Sequence, residues 1–184
     1  MENEKQHTVI HQDLLEACKR GDSRAQMKIY GLYYKPMYHT SLRILGDAME
    51  AEDIMQESFL VAFRNIRTMD LNVSFGGWLK RIVINRSLDA LRKRKEEVEL
   101  VPDFPDEIQE ESCSMSEEAT TAEQVDKIKR ALARLPEKYR VVLSLNLFEG
   151  YDHDEIGQIL GVTPSTSRAQ LSRGRQKLLQ LMAG

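Results

Sequence analysis

The sequence predicts an all-α protein: two small helical domains joined by an acidic linker, the second containing a helix-turn-helix. Three observations predict it. Apolar residues recur at helical spacing in both halves, and no strand-like alternation lasts. Residues 96–118 carry ten acids, Pro102, Pro105 and no Lys or Arg, a composition that cannot bury enough apolar surface to pack. Between His153 and Leu181 a short apolar-faced segment, a glycine and a longer polar segment follow one another, the layout of two helices around a tight turn.

The elements follow in order. A first helix spans about 10–20, with Gly21 as its C-cap. Asp22 or Ser23 opens a long helix to 45, ended by Gly46 and expected to kink at Pro36. Asp47 opens the next, about 48–66. Leu71 to Gly77 reads as a loop, and a helix follows from about 77 to 95. Beyond the linker come helices at about 121–134, 137–148, 153–160 and 164–182. Pro136 stands at the start of the second of these, where a helix tolerates it. The expected domains are therefore 1–95 and 121–184, with the linker at 96–120.

The chain has 184 residues, 41% hydrophobic and 30% charged, with 10 Gly and 5 Pro, the profile of a helix-rich globular chain. No apolar run reaches the ~18 residues of a membrane span. The polar start, Met1 to Lys5, predicts no secretory signal. Cys18 and Cys113 lie far apart without CxxC neighbours, so neither a disulfide framework nor structural zinc is expected. The expected location is the cytoplasm, which leaves the sequons at Asn72 and Asn85 without meaning. Net charge is −3, and the ten acids of 96–118 more than account for it: the remainder stands at +7. An overall acidic balance thus conceals a basic molecule.

The strongest motif is the pair of helices after Asp152. Asp152 or His153 caps the first, whose apolar face is Ile156, Ile159 and Leu160. Gly161 supplies the left-handed residue that ends it. Val162 fills the space between the helices. Thr163 is an N-cap, with Pro164 at the first helical position. In the second helix Ser167, Leu171, Gly174 and Leu178 face one way. Thr166, Ala169, Arg173 and Gln176 face the other, flanked by Ser165 and Ser172, with Arg168, Arg175 and Lys177 on the shoulders. From Gly161 onward there are four basic residues and no acid. Arg and Gln read base edges, while Ser and Thr hold phosphates. A helical hairpin with a solvated basic face has the same pattern.

Two further faces stand out. In the helix after Gly77, Leu79, Val83, Ile84, Ser87, Ala90 and Leu91 share one side. Trp78, Arg81, Asn85, Asp89 and Arg92 share the other. Seven basic residues and one acid lie between Lys80 and Lys95. An aromatic ring among Arg and Asn suits single-stranded nucleic acid, with bases stacking on the ring and cations tracking the backbone. The alternative places Trp78 under the Leu71–Gly76 loop as core. In the helix at 48–66, Ala51, Met55, Phe59, Ala62 and Ile66 form the inward stripe. Asp53, Gln56, Glu57, Leu60 and Arg64 face outward. A leucine framed by acids and an amide suits a protein interface, though lone exposed leucines are common.

Together these segments resemble the extracytoplasmic-function (ECF) sigma factors of bacterial RNA polymerase, from about Leu14 to Leu181. Ala51 to Phe59 (AEDIMQESF) resembles region 2.2. Phe75 to Ile82 (FGGWLKRI), Asn85 and Asp89 to Arg92 resemble regions 2.3 and 2.4. Leu135 to Arg140 (LPEKYR), Glu149 to Tyr151 and the helix-turn-helix resemble region 4. The resemblance implies that Asp53, Gln56 and Glu57 meet the polymerase clamp helices, with Leu60 the anchor suggested by its face. It implies that Trp78, Arg81 and Asn85 melt and read the −10 element, and Arg92 shares their face. It implies that Thr166, Arg168, Ser172 and Arg173 contact the −35 element, with Ser165 beside them. The linker would thread toward the RNA exit path. Core RNA polymerase, promoter DNA and an anti-sigma factor are the implied partners, with no membrane insertion, no metal and no cofactor. Departures exist: Ser165 where Gly is usual, Ser167 where Val is frequent, and Gly157 and Gly174 where Ala is common. Each helical Gly is expected to cost up to ~1 kcal/mol against Ala.

The leading alternative is a stand-alone helix-turn-helix regulator. It accounts for the C-terminal half but not for the Trp78 face or the acidic linker. An enzyme fits poorly. His7, His11, His39 and His153 are scattered, without the Glu or Cys partners that metal or nucleophile chemistry requires, and no Gly-rich phosphate loop precedes a helix. A helical adaptor without DNA leaves the basic helix-turn-helix unexplained.

Overall fold

Helix boundaries in this chain are set by short polar side chains that reach back to the backbone and by glycines that turn away from it. Asp22 accepts hydrogen bonds from the backbone N–H groups of Arg24 and Ala25, at 2.8 and 3.3 Å, so the long helix begins at Ser23. Asp47 accepts from Glu50 N at 2.8 Å, so the next begins at Ala48. These bonds satisfy N–H groups that a helix start otherwise leaves open. The structure, a computed structural model, describes residues 12–69, 73–98 and 121–183. Most of the acidic linker and Cys113 lie outside the described residues.

Among the described residues all regular structure is helical. The helices are α1 (12–19), α2 (Ser23–Leu45), α3 (Ala48–Asn65) with a 3-10 turn at Ile66–Thr68, and α4 (Phe75–Val98). Then come α5 (Thr121–Ala133), α6 (Glu137–Leu143) continuing as a π turn over Ser144–Phe148, α7 (His153–Leu160) and α8 (Pro164–Ala183). The chain divides into two compact units, Met1–Lys93 and Arg94–Gly184, so the division falls within the last turns of α4.

Three expectations are corrected. Helix α4 starts two residues earlier than its glycines suggested, because Ser74 accepts from Gly77 N at 3.2 Å. Gly76 and Gly77 therefore lie in its first turn rather than in a loop. Pro136 stands outside α6 as its N-cap, in an extended conformation (ψ 138°). The stretch 137–148 is not one α-helix. Its second half is wound wider, with Glu149 N donating to Ser144 O at 3.2 Å, the five-residue spacing of a π turn. Helix α2 continues unbroken through Pro36.

In the first unit, Cys18 of α1, Ile29 and Met37 of α2, Met55 and Phe59 of α3, and Leu79 and Val83 of α4 form one apolar cluster. The expected inward stripe of α3, from Ala51 to Ile66, is buried throughout, and Ser58 joins it. Ser58 satisfies its hydroxyl by donating to Ile54 O at 2.6 Å. Ser41 of α2 and Ser87 of α4, also buried, share a hydrogen bond of 2.9 Å, so these serine hydroxyls are paired. Tyr30 and Phe59 add an aromatic contact with ring centroids 4.8 Å apart. Arg67 donates to Lys19 O at 3.0 Å, tying the 3-10 turn to the end of α1.

In the second unit α8 packs against α5, α6 and α7. Leu132, Leu135, Val142, Leu143, Leu145, Ile156 and Leu171 are buried there. Arg140 is buried too, 7% exposed, and donates to Leu135 O at 3.1 Å, stitching α6 to the end of α5. Burial lowers its guanidinium pKa and neighbouring Glu137 opposes that shift, and an Arg remains charged regardless.

Candidate nucleic-acid interface

Helix α7 is fixed at both ends. Asp152 accepts from Asp154 N and Glu155 N at 2.9 and 2.8 Å, while Glu155 reaches back to accept from Asp152 N at 2.9 Å. This is the reciprocal capping box. At the other end Gly161 adopts φ 67° and donates to Gly157 O, a conformation only glycine enters without cost. The expected N-cap of α8 is present: Thr163 Oγ1 accepts from Thr166 N at 3.1 Å. The same oxygen lies 2.9 Å from Ser165 Oγ and 2.8 Å from Thr166 Oγ1. Three hydroxyls thus cluster at the start of the second helix.

The faces of α8 sort as the spacing predicts. Ser167, Leu171 and Gly174 are buried, and Leu178 is half-buried. Ser165, Thr166, Arg168, Ser172 and Arg173 are all exposed, as are Arg175 and Gln176. Val162 is half-buried, and its carbonyl presses on α7: a Cβ added at Gly157 would lie 2.8 Å from Val162 O. One added at Gly174 would lie 3.0 Å from Leu143 Cδ1 and 3.1 Å from Tyr139 Cβ. Both glycines are points of close approach, so the cost foreseen for them is offset by contacts that alanine would disturb.

In the first unit, Phe75, Leu79, Val83, Ile84, Ser87, Leu88 and Leu91 of α4 are buried, whereas Arg81, Asn85 and Arg92 are exposed. Arg92 pairs with Asp89 at 2.8 Å. Trp78 is half-buried and packs on the core with its ring 6.0 Å from Phe75. The indole thus supports the core while remaining partly exposed. It is neither the fully exposed ring nor the sealed one that the sequence allowed. On α3, Asp53, Gln56 and Glu57 are exposed with Leu60, which is 56% exposed despite being apolar. Gln56 donates to Glu52 at 3.2 Å, and Glu57 forms an ion pair with Arg86 of α4.

Sequence reasoning missed three features. It took His153 as one of four scattered histidines and a possible cap, and did not foresee that its Nδ1 lies 2.9 Å from Ser167 Oγ. It did not foresee the Glu57–Arg86 link between two helices. Nor did it mark Leu147 and Phe148, which the π turn leaves 46% and 48% exposed. None carries a local signal, because each pairing depends on helix packing. Among the described residues no group of His, Cys, Asp and Glu could hold a metal ion, and no helix is long and apolar enough to cross a membrane.

Comparison with known proteins agrees with this layout. Residues 29–97 match the family model of sigma-70 region 2, and residues 126–178 match that of sigma-70 region 4. The class so defined is a sigma factor that carries regions 2 and 4. SigW, an ECF RNA polymerase sigma factor of Bacillus subtilis, is 31% identical over 172 residues, covering 89% of this chain and 92% of the relative. The RNA polymerase sigma-H factor of Pseudomonas aeruginosa is 27% identical over 175 residues, 91% of each. Two solved structures share the fold at 20% identity. One is the sigma factor RpoE with the anti-sigma factor NepR from Bartonella quintana, with a TM-score of 0.55, covering 85% of this chain and 95% of that one. The other is CnrH with the cytosolic domain of CnrY, with a TM-score of 0.52, covering 92% and 94%. The chain belongs to the ECF sigma factor family. It is a transcription initiation factor that directs RNA polymerase to specific promoters. A stand-alone helix-turn-helix regulator would leave the region 2 match unexplained.

Proposed function

We propose that the three exposed surfaces divide the work of promoter recognition. Asp53, Gln56, Glu57 and Leu60 on α3 dock the chain on core RNA polymerase, with the leucine as apolar anchor inside a polar rim. Trp78, Arg81, Asn85 and Arg92 on α4 open and read the −10 element, the ring stacking on an unpaired base while the cations hold the backbone. Ser165, Thr166, Arg168, Ser172 and Arg173 on α8 contact the −35 element from the major groove. The working domains are 1–95 and 121–184, with 96–120 as the acidic tether. The protein acts without catalysis of its own, in the cytoplasm. An anti-sigma factor covering one or both domains is its expected regulator, as the structurally similar sigma factor RpoE is in complex with the anti-sigma factor NepR.

The observation that carries this reading is the sorting of α8. Its hydroxyl and guanidinium groups stand together on the exposed side of a capped helix-turn-helix with no acid among them. Phosphate contacts supply affinity and base contacts supply selection. The test is runoff transcription by reconstituted holoenzyme on a promoter found by transcript mapping. Arg173→Ala is expected to reduce −35 selectivity by roughly 1–3 kcal/mol. Asn85→Ala is expected to impair opening while core binding survives. Unchanged output from either variant removes that residue from its surface.

A further inference from the structure

We propose that His153 is a positioning residue for promoter recognition, acting through Ser167 to hold the first turn of α8 at the angle its DNA contacts require. The inference rests on the assignment of α8 to the −35 element. Ser167 is 0% exposed, yet it sits between Thr166 and Arg168, both at the surface. Its neighbours on the inward face, Leu171 and Gly174, offer no side-chain hydrogen-bonding group. The hydroxyl meets His153 Nδ1 at 2.9 Å. A buried hydroxyl is costly when unpaired, so this bond favours one placement of α8 against α7.

The other end of the bond is equally fixed. His153 is the first residue of α7, directly after the capping-box residue Asp152, so its ring stands on a braced backbone. The hydroxyl cluster of Thr163, Ser165 and Thr166 organises the start of α8 internally but does not tie it to α7. The His153–Ser167 bond does. It is also chemically robust: a ring nitrogen bearing hydrogen donates to the serine oxygen, and one without it accepts from the serine hydroxyl.

The two partners are not equivalent. Losing the ring leaves the buried hydroxyl only the carbonyls of its own helix to bond, the way Ser58 bonds to Ile54 O, whereas losing the hydroxyl leaves a half-exposed ring that water can satisfy. This asymmetry gives the test. Reconstituted holoenzyme is titrated with a mapped promoter fragment and with the same fragment carrying a scrambled −35 element. The ratio of affinities is the readout, with Arg173→Ala as control. His153→Ala is expected to lower the ratio about fivefold, the size of one hydrogen bond to a buried group. Ser167→Ala is expected to lower it less, and the double variant to recover to the Ser167→Ala level. His153→Asn, whose amide reaches the same oxygen, is expected to restore part of the loss. A purely structural role would instead lower the melting temperature and weaken both fragments alike, and that result overturns the proposal. So does a double variant whose loss is the product of the single losses, or a normal ratio for His153→Ala where Arg173→Ala collapses it. If Arg173→Ala also leaves the ratio intact, the assignment of α8 falls and this inference falls with it.

Discussion

Gly157 and Gly174 show how packing reverses a propensity argument. In an isolated helix each would gain up to ~1 kcal/mol on replacement by alanine. Here a methyl at Gly157 would come within 2.8 Å of a backbone carbonyl, which cannot move without shifting the turn into α8. Gly157→Ala is therefore expected to destabilise the second unit by about 1–3 kcal/mol, the usual range for overpacking. Gly174→Ala meets Leu143 Cδ1 at 3.0 Å and Tyr139 Cβ at 3.1 Å; these gaps are wider than the 2.8 Å at Gly157, so it should cost less. Thermal melts of both variants check the order; equal or stabilised melts would show that the turn yields. Cys18 gives a second residue-scale expectation. Burial, reinforced by Asp22, pushes its thiol pKa up. Because the folded value is raised, its stabilising contribution is complete below the unfolded thiol pKa and is lost as pH rises through the folded one. In a Cys113→Ser background, iodoacetamide at mildly alkaline pH should label Cys18 only as denaturant unfolds the first unit. Rapid labelling of the native protein would contradict its 2% exposure.

At the scale of elements, α7 is a short helix closed at both ends. Eight residues are too few to be stable alone, and Asp152, Glu155 and Gly161 together close both ends. Asp152→Ala is expected to cost about 0.5–2 kcal/mol and, through the turn, to loosen the start of α8. Hydrogen exchange would register this as faster exchange at Ile156 and Ser167, whose N–H groups bond to Asp152 O at 2.9 Å and Thr163 O at 3.0 Å. Unchanged protection would show that tertiary packing alone holds the pair. Helix α4 illustrates a different economy. Its buried side anchors the first unit, while its other side carries Arg81, Asn85 and Arg92, so one helix serves both the core and the row proposed for the −10 element.

For the whole molecule the governing quantity is charge. Ten acids within 96–118 offset a remainder of +7, and interactions between such groups reach about 10 Å at 0.1 M salt. In the free protein the tether is expected to compete with DNA for the basic faces. Replacing its acids by Asn and Gln should raise the affinity of the free protein for duplex DNA at least several-fold at low salt, an advantage that shrinks as salt is added. An affinity that stays flat at low salt would show that the tether and the basic faces do not meet.

Local pattern alone carried the helical class, the two halves, the limits of α7 and the inward stripe of α3. Each depends on spacing, caps and glycines within a few residues, and such information is written where it acts. The sorting of α8 was legible for the same reason, since a helix places every third or fourth residue on one side whatever its neighbours are. The half-buried seat of Trp78 was not, because the ring's exposure depends on Phe75 and the core beneath it. Nor was the bond from His153 to Ser167, fourteen residues apart, or the need for glycine at 157. Those were decided only when one helix packed on another, and distances between helices are properties of the folded chain that no sequence interval records.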